Sequence, residues 1–182
     1  MIVHALLIAA AFAPTNTTWE AGVATSYVRG GSFDGPGIAA HYLWVPSDYF
    51  ALGPMVDVAY LSSGLTAGNG LPASYAFTST FAGGLLQLRL PLGRVEPYAG
   101  LALGYVAADQ RRSLNAQCGF SSGLGILLAA GGRAAVTDSL ILGLRGSVRS
   151  PANVLSCSAV AGPASFEMPA LFALSSTLDY RW

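Results

Sequence analysis

Residues 139–148 read Ser139-Leu140-Ile141-Leu142-Gly143-Leu144-Arg145-Gly146-Ser147-Val148. Leu140, Leu142, Leu144 and Val148 alternate with Ser139, Gly143, Arg145 and Ser147. Alternation of this kind marks a strand, because successive strand side chains point to opposite faces. One face is large and apolar, and the other is small, polar or charged. The same division recurs upstream. Leu124, Ile126, Leu128, Ala130, Ala134 and Val136 oppose Ser121, Gly123, Gly125, Gly131 and Arg133. Leu101, Leu103 and Tyr105 oppose Tyr98, Gly100, Ala102 and Gly104. At the C-terminus Phe172, Leu174, Leu178, Tyr180 and Trp182 alternate with Ser175, Thr177, Asp179 and Arg181.

Composition decides which face meets solvent. Of the 182 residues 53% are hydrophobic and 10% charged, where a soluble domain carries about 25% charge. A soluble barrel, lipocalin-like, would turn the small-residue face outward and need far more charge there. A transmembrane barrel turns the large apolar face to lipid and the polar face inward. Nine charged residues fall within or at the ends of the strands: Glu20, Arg29, Asp57, Arg89, Arg133, Arg145, Arg149, Asp179 and Arg181. All but Arg29 lie on the small-residue parity. A charge facing lipid at mid-bilayer costs ~2–4 kcal/mol, which accounts for the bias. Helical spans are excluded, since Gly and Pro interrupt every window of about 20 apolar residues. The formal net charge is zero and every basic residue is an Arg. No basic run exceeds Arg111-Arg112, so nucleic acid is not an expected partner.

Eight strands are expected, over 19–29, 37–46, 50–61, 74–91, 96–108, 121–136, 139–149 and 168–182. Short turns near Asp48, Gly93 and Asp138 alternate with longer connections over 29–36, 62–73, 109–119 and 150–167. Short periplasmic turns and long outer loops characterise outer-membrane barrels, and this places both termini on the periplasmic side. Trp19, Trp44 and Trp182, joined by Tyr49, Phe50 and Tyr180, form one aromatic belt at the periplasmic strand ends. Tyr27, Tyr60, Tyr75 and Tyr105 fall toward the loops. Pro54 is expected to sit at a bulge. Gly83-Gly84 is a candidate bulge that would flip the parity of Phe77 and Phe81. Residues 1–13 carry an apolar run and small residues that fit a signal peptide, cleaved after Ala11 or Ala13, although no Lys or Arg precedes the run.

Val95-Glu96-Pro97-Tyr98-Ala99-Gly100-Leu101-Ala102-Leu103-Gly104-Tyr105 resembles the Pro-Tyr-x-Gly strand of small outer-membrane β-barrels. That family is typified by the barrel domain of outer membrane protein A. Thr137-Asp138-Ser139-Leu140 is similar to its last periplasmic turn. Leu178-Asp179-Tyr180-Arg181-Trp182 resembles its C-terminal assembly signal, with Trp182 where Phe is usual. The resemblance covers 19–182. It implies an all-β, eight-stranded, antiparallel up-and-down transmembrane barrel in the bacterial outer membrane. It also implies the lipid bilayer as surroundings and the barrel-assembly machinery as a partner, met through the C-terminal strand. A monomer is expected.

For the interior, eight strands leave a space that side chains can fill. Glu20, Asp57 and Asp179 face Arg89, Arg133, Arg145 and Arg181 there, with His41 at mid-depth. Asp57 is expected near Arg145, and Gly100, Gly104, Gly123, Gly125 and Gly143 are expected to make room for the Arg side chains. The expectation is a closed or at most weakly conducting lumen and a structural or surface role. The alternatives are a small-solute channel, in which the Arg excess would favour anions, and a barrel enzyme acting on lipid A or phospholipid. The enzyme would need His41 beside a Ser. His4 is expected to leave with the signal, so His41 is the one remaining imidazole. No catalytic residue, cofactor or metal is assigned, and Gly123-Leu124-Gly125 lacks the rest of a dinucleotide fingerprint. Cys118 and Cys157 lie in neighbouring long loops of an exported chain and are expected to form a disulfide.

Overall fold

The alternating segments form strands, and the strands close on themselves. The computed structural model describes residues 18–66, 72–113, 116–118, 121–150, 155–159, 162–166 and 169–182. Residues 1–13, read above as a signal peptide, lie outside the described residues. In chain order the strands are β1 (Thr18–Gly30), β2 (Phe33–Ser47), β3 (Phe50–Thr66), β4 (Pro72–Arg89), β5 (Val95–Ser113), β6 (Ala116–Cys118), β7 (Ser121–Ala135), β8 (Leu140–Arg149), β9 (Leu155–Ala159), β10 (Gly162–Phe166) and β11 (Leu171–Arg181). Eight of them make one closed barrel, β1-β2-β3-β4-β5-β7-β8-β11, every neighbouring pair antiparallel. The seam is completed at the chain's end, where Trp19 and Trp182 exchange backbone hydrogen bonds of 3.1 and 3.0 Å. No edge is left in the barrel, which satisfies every ladder in a medium without water.

The strands differ from the expected ones mainly at the loop side. β2 starts at Phe33, so the connection expected over 29–36 is the two-residue turn Gly31-Ser32, with Gly31 at φ 60°. β3 and β5 run on to Thr66 and Ser113. Polar sequence was read there as loop, but a ladder satisfies backbone groups equally well outside a bilayer. A second, three-stranded sheet, β10-β9-β6, is built from connections read as irregular. Its strands have five, five and three residues, too few for period two to be visible.

Two expected bulges are corrected. β4 runs unbroken for 18 residues and pairs with β3 without a shift from Leu88 to Pro72. Gly83-Gly84 does not flip it: Phe77, Phe81, Leu85, Gln87 and Arg89 all point inward. Pro54 sits on the exterior in continuous register, opposite Gly84. The irregularities fall between Trp44 and Ser47 in the β2–β3 pair and between Ala76 and Phe77 in the β4–β5 pair.

The outer wall is apolar as expected. Val23, Ile38, Val56, Leu103, Ile126, Leu128, Leu144 and Leu174 are exposed on it. At the periplasmic ends Trp19 stacks on Tyr42 with centroids 5.1 Å apart, and Tyr42 and Tyr180 each lie 5.9 Å from Trp182. Trp44 and Tyr49 are exposed at the same level. Tyr27, Tyr60 and Tyr105 are exposed toward the loops, and the side chain of Tyr75 lies outside those described.

The lumen departs from expectation. Its inward parity is not uniformly small and polar. Leu43, Met55, Phe81, Leu85, Val106 and Leu127 form one buried apolar cluster. Val28, Leu61, Phe77 and Leu171 form another near the loop end, with Phe33 and Phe77 rings 4.6 Å apart. An interior with no room for bulk water has no need of polar lining. The hydrophobicity that composition assigned to lipid is therefore shared with the core.

Candidate functional site

The remaining lumen volume holds charge. β1 carries Glu20 inward, fully buried, opposite Arg181 across the seam. Three guanidiniums converge on its carboxylate. Arg89 donates through Nη2 at 2.9 Å, Arg133 through Nη1 at 2.5 Å and Arg181 through Nη2 at 3.2 Å. Gln87, two residues along β4, accepts from Arg89 at 2.8 Å. Glu96, at the start of β5, accepts from Arg133 at 2.6 Å and from Arg181 at 3.3 Å. Two acids and three bases from five strands thus tie the periplasmic end across its width. Every carboxylate oxygen in this group has a charged donor, as burial of ions requires.

Above it, His41 Nε2 lies 3.1 Å from Asp179 Oδ1. Both residues are cross-strand neighbours of Gly22, on β2 and β11 respectively. A Cβ at Gly22 would come within 1.9 Å of Asp179 Oδ1 and 2.5 Å of His41. The pair therefore exists because position 22 has no side chain. Arg133 is 3.9 Å from the other Asp179 oxygen. Glu20, His41 and Asp179 present ligand atoms within 4.8 Å of one another. The three guanidiniums on Glu20 oppose a cation there, so the donor set does not suit a metal.

Nearer the loops lies a second group. Asp57 on β3 accepts from Arg149 Nη1 at 3.1 Å, and Arg149 Nη2 donates to Ser79 at 3.0 Å. Arg145 is 3.7 Å from Asp57 without a hydrogen bond. The expected Asp57–Arg145 partnership is thus held chiefly by Arg149. A gap of about 10 Å³ lies beside it, lined by Val28, Asp57, Leu127, Ser147, Arg149, Leu171 and Ala173.

All eight residues read as a lumen network therefore face inward. They divide into the Glu20 group, the His41–Asp179 pair and the Asp57 group. Glu96, Arg149, Gln87 and Ser79 were not assigned. Arg149 carried the right parity but stood at a strand end. Glu96 stands out in the sequence only as part of the Val95–Tyr105 motif. Gly143 does yield space to Arg133, 2.9 Å from a Cβ placed there, whereas Gly100, Gly104 and Gly125 pack on Leu85, on the Ala82 backbone and on Val106. Cys118 and Cys157 are direct cross-strand partners in the β6–β9 ladder; their side chains lie outside those described.

No protein-family model and no curated protein matches this chain. Solved structures do. Neisserial surface protein A superposes with a TM-score of 0.62 at 16% identity, over 91% of this chain and 97% of that one. The outer membrane protein OprG from Pseudomonas aeruginosa gives 0.64 at 11% identity, over 91% and 95%. The outer membrane protein AlkL, solved in DMPC lipid bilayers, gives 0.55 at 15% identity, over 92% and 90%. At these identities the likeness is one of fold. The chain is a small eight-stranded transmembrane β-barrel of the outer-membrane type, and its apolar wall lies in the lipid of that membrane.

Proposed function

We propose that this barrel has a structural or surface role, with a lumen that is closed or at most weakly conducting. The observation that carries the reading is the double obstruction of the interior. The Glu20–Arg89–Arg133–Arg181–Glu96 lattice spans the periplasmic end. Val28, Leu61, Phe77 and Leu171 fill the loop end with apolar side chains. A solute would have to break several buried ion pairs and then cross a dry segment. His41 faces Asp179, in the lumen and away from any lipid substrate, so the reading is non-enzymatic. Neither a solute channel nor a lipid-modifying enzyme draws support from a particular residue.

The same reading assigns Trp19, Trp44, Tyr180 and Trp182 to the inner headgroup level as an aromatic belt. It gives the C-terminal strand, ending Leu178-Asp179-Tyr180-Arg181-Trp182, to the barrel-assembly machinery, and it takes the barrel to be a monomer. Residues 1–13 serve as the export signal. Cys118 and Cys157 form a disulfide. The pairing of the two positions in the β6–β9 ladder, in loops of an exported chain, supports that reading.

Planar-bilayer recording tests the reading. Purified barrel should give no steady, large conductance, and such a conductance would overturn it. Lipid A and phospholipid profiles of cells with and without the gene should be the same; a changed acyl pattern would favour the enzyme.

A further inference from the structure

One basic side chain stands on the outer wall. Arg29 lies near the loop end of β1, on the outward parity, and is exposed. Among the described side chains it is the one arginine on a barrel strand that faces outward. Arg89, Arg133, Arg145, Arg149 and Arg181 all turn to the lumen. The sheet places a counterion beside it, since Asp34 on β2 is its direct cross-strand neighbour. Yet Asp34 accepts a hydrogen bond from the Tyr27 hydroxyl. Arg29 forms no ion pair with Asp34 or with any other described residue.

Its height on the wall is a second, independent observation. Tyr27 and Tyr60, both exposed, mark the outer interface. Arg29 is the next outward-facing residue above Tyr27 on β1. The hairpin then closes at once, through the two-residue turn Gly31-Ser32. The β1–β2 connection therefore raises no long loop over Arg29. On the other side Phe172 of β11 is its direct cross-strand neighbour and is strongly exposed. Arg29 thus stands at the rim of the apolar wall, between Phe172 and Asp34 in the sheet. An arginine facing lipid is costly at mid-bilayer and nearly free of penalty at the headgroups. There it meets phosphate, whose oxygens its planar fork holds in pairs. Asp34 tempers the attraction, because its carboxylate repels the same phosphate.

We infer that Arg29 binds the headgroup phosphate of an anionic outer-leaflet lipid of the lipid A class. The acyl chains of that lipid lie on the apolar wall below, past Tyr27 and Phe172. The position borders that wall, which is why the ligand is a lipid and not a free ion. The strands that hold it, β1 and β11, are the pair that closes the barrel. The inference stands on the outer wall and does not depend on whether the lumen conducts.

The test is native mass spectrometry of the full chain released from detergent micelles. The micelles hold either bisphosphorylated lipid A or the same lipid stripped of its phosphates, with identical acyl chains. The wild-type barrel should retain the phosphorylated lipid several-fold more than the stripped one. Arg29→Gln should bring the two to the same level. Arg94→Gln, in the exposed periplasmic turn, should leave the preference unchanged. Asp34→Asn should raise retention of the phosphorylated lipid, since it removes the competing carboxylate. Equal retention of the two lipids by wild type would overturn the inference. So would a phosphate preference that survives in Arg29→Gln. Displacement of the lipid by millimolar inorganic phosphate would also overturn it, because the site would then be one for a free anion. Should Arg29→Gln fail to fold, Asp34→Asn decides: raised retention supports the site and unchanged retention rejects it.

Discussion

His41 and Asp179 approach to 3.1 Å directly over Gly22, which separates them in the sheet. Three strands thus deliver one buried polar pair, and the middle strand contributes by having no side chain. Gly22→Val should destabilise the barrel by ~1–3 kcal/mol, the usual range for overpacking a filled interior. Gly84→Ala is the control, since nothing lies within 4 Å of a Cβ placed there. Heat-modifiable gel migration should show Gly22→Val unfolding at lower temperature, with Gly84→Ala unchanged. Equal midpoints would mean that the pair is not packed over position 22.

Much of this molecule was legible because the bilayer enforces a simple rule. Leu140, Leu142 and Leu144 outside, with Arg145 inside, follow from period two and the cost of charge in lipid. The inner face was less legible because no comparable rule governs it. Phe81 and Arg89 share one parity on β4, one in an apolar cluster and the other in an ion lattice. Parity cannot tell them apart; only the residues that meet them across the lumen can. The Asp57 partner was misassigned for a related reason. Depth counted from the turns favours Arg145, but Arg149 is the nearer of the two, at 3.1 Å against 3.7 Å. Cys118 and Cys157 were matched by loop adjacency alone, and the register of β6 with β9 was invisible in segments that short.

The outer wall makes its own prediction. Leu128 lies at the middle of β7 and is exposed, and Val136 lies beyond the end of the same strand, also exposed. Leu128→Arg should cost ~2–4 kcal/mol and Val136→Arg ~0–1 kcal/mol, because the penalty follows bilayer depth. Reversible folding into lipid vesicles under urea measures both. A larger penalty at 136 than at 128 would misplace the membrane midplane.

The β6–β9 ladder predicts a covalent state. If Cys118 and Cys157 are bonded, intact-mass measurement after alkylation without reductant should show neither thiol modified. Reduction should then lower stability by ~2–4 kcal/mol in the chain-entropy picture. The loss should appear first as faster protease cleavage of the loop sheet, since the barrel ladders are independent of it. Two alkylated thiols in protein taken from an oxidising compartment would reject the bond.

Asp57 is the sole acid within 4 Å of Arg145 and Arg149 among the described residues, so its removal should matter more than that of either base. Asp57→Ala leaves two buried guanidiniums without a carboxylate, and loss of one partner from a buried pair costs ~3–5 kcal/mol. Arg149→Met should cost less, because Arg145 stands 3.7 Å from the same carboxylate and can turn to it. The triple substitution Asp57→Leu with Arg145→Met and Arg149→Met removes all three buried charges and substitutes apolar volume. Replacing a buried pair or triad in this way is often neutral or stabilising. The triple variant should therefore recover most of the stability that Asp57→Ala loses. The four midpoints, with wild type, form a thermodynamic comparison that separates pairing from packing. If Asp57→Ala melts no earlier than a substitution in an outer loop, the Asp57 group does not hold the upper lumen together. If the triple variant melts as early as Asp57→Ala, packing at positions 57, 145 and 149 outweighs their charge.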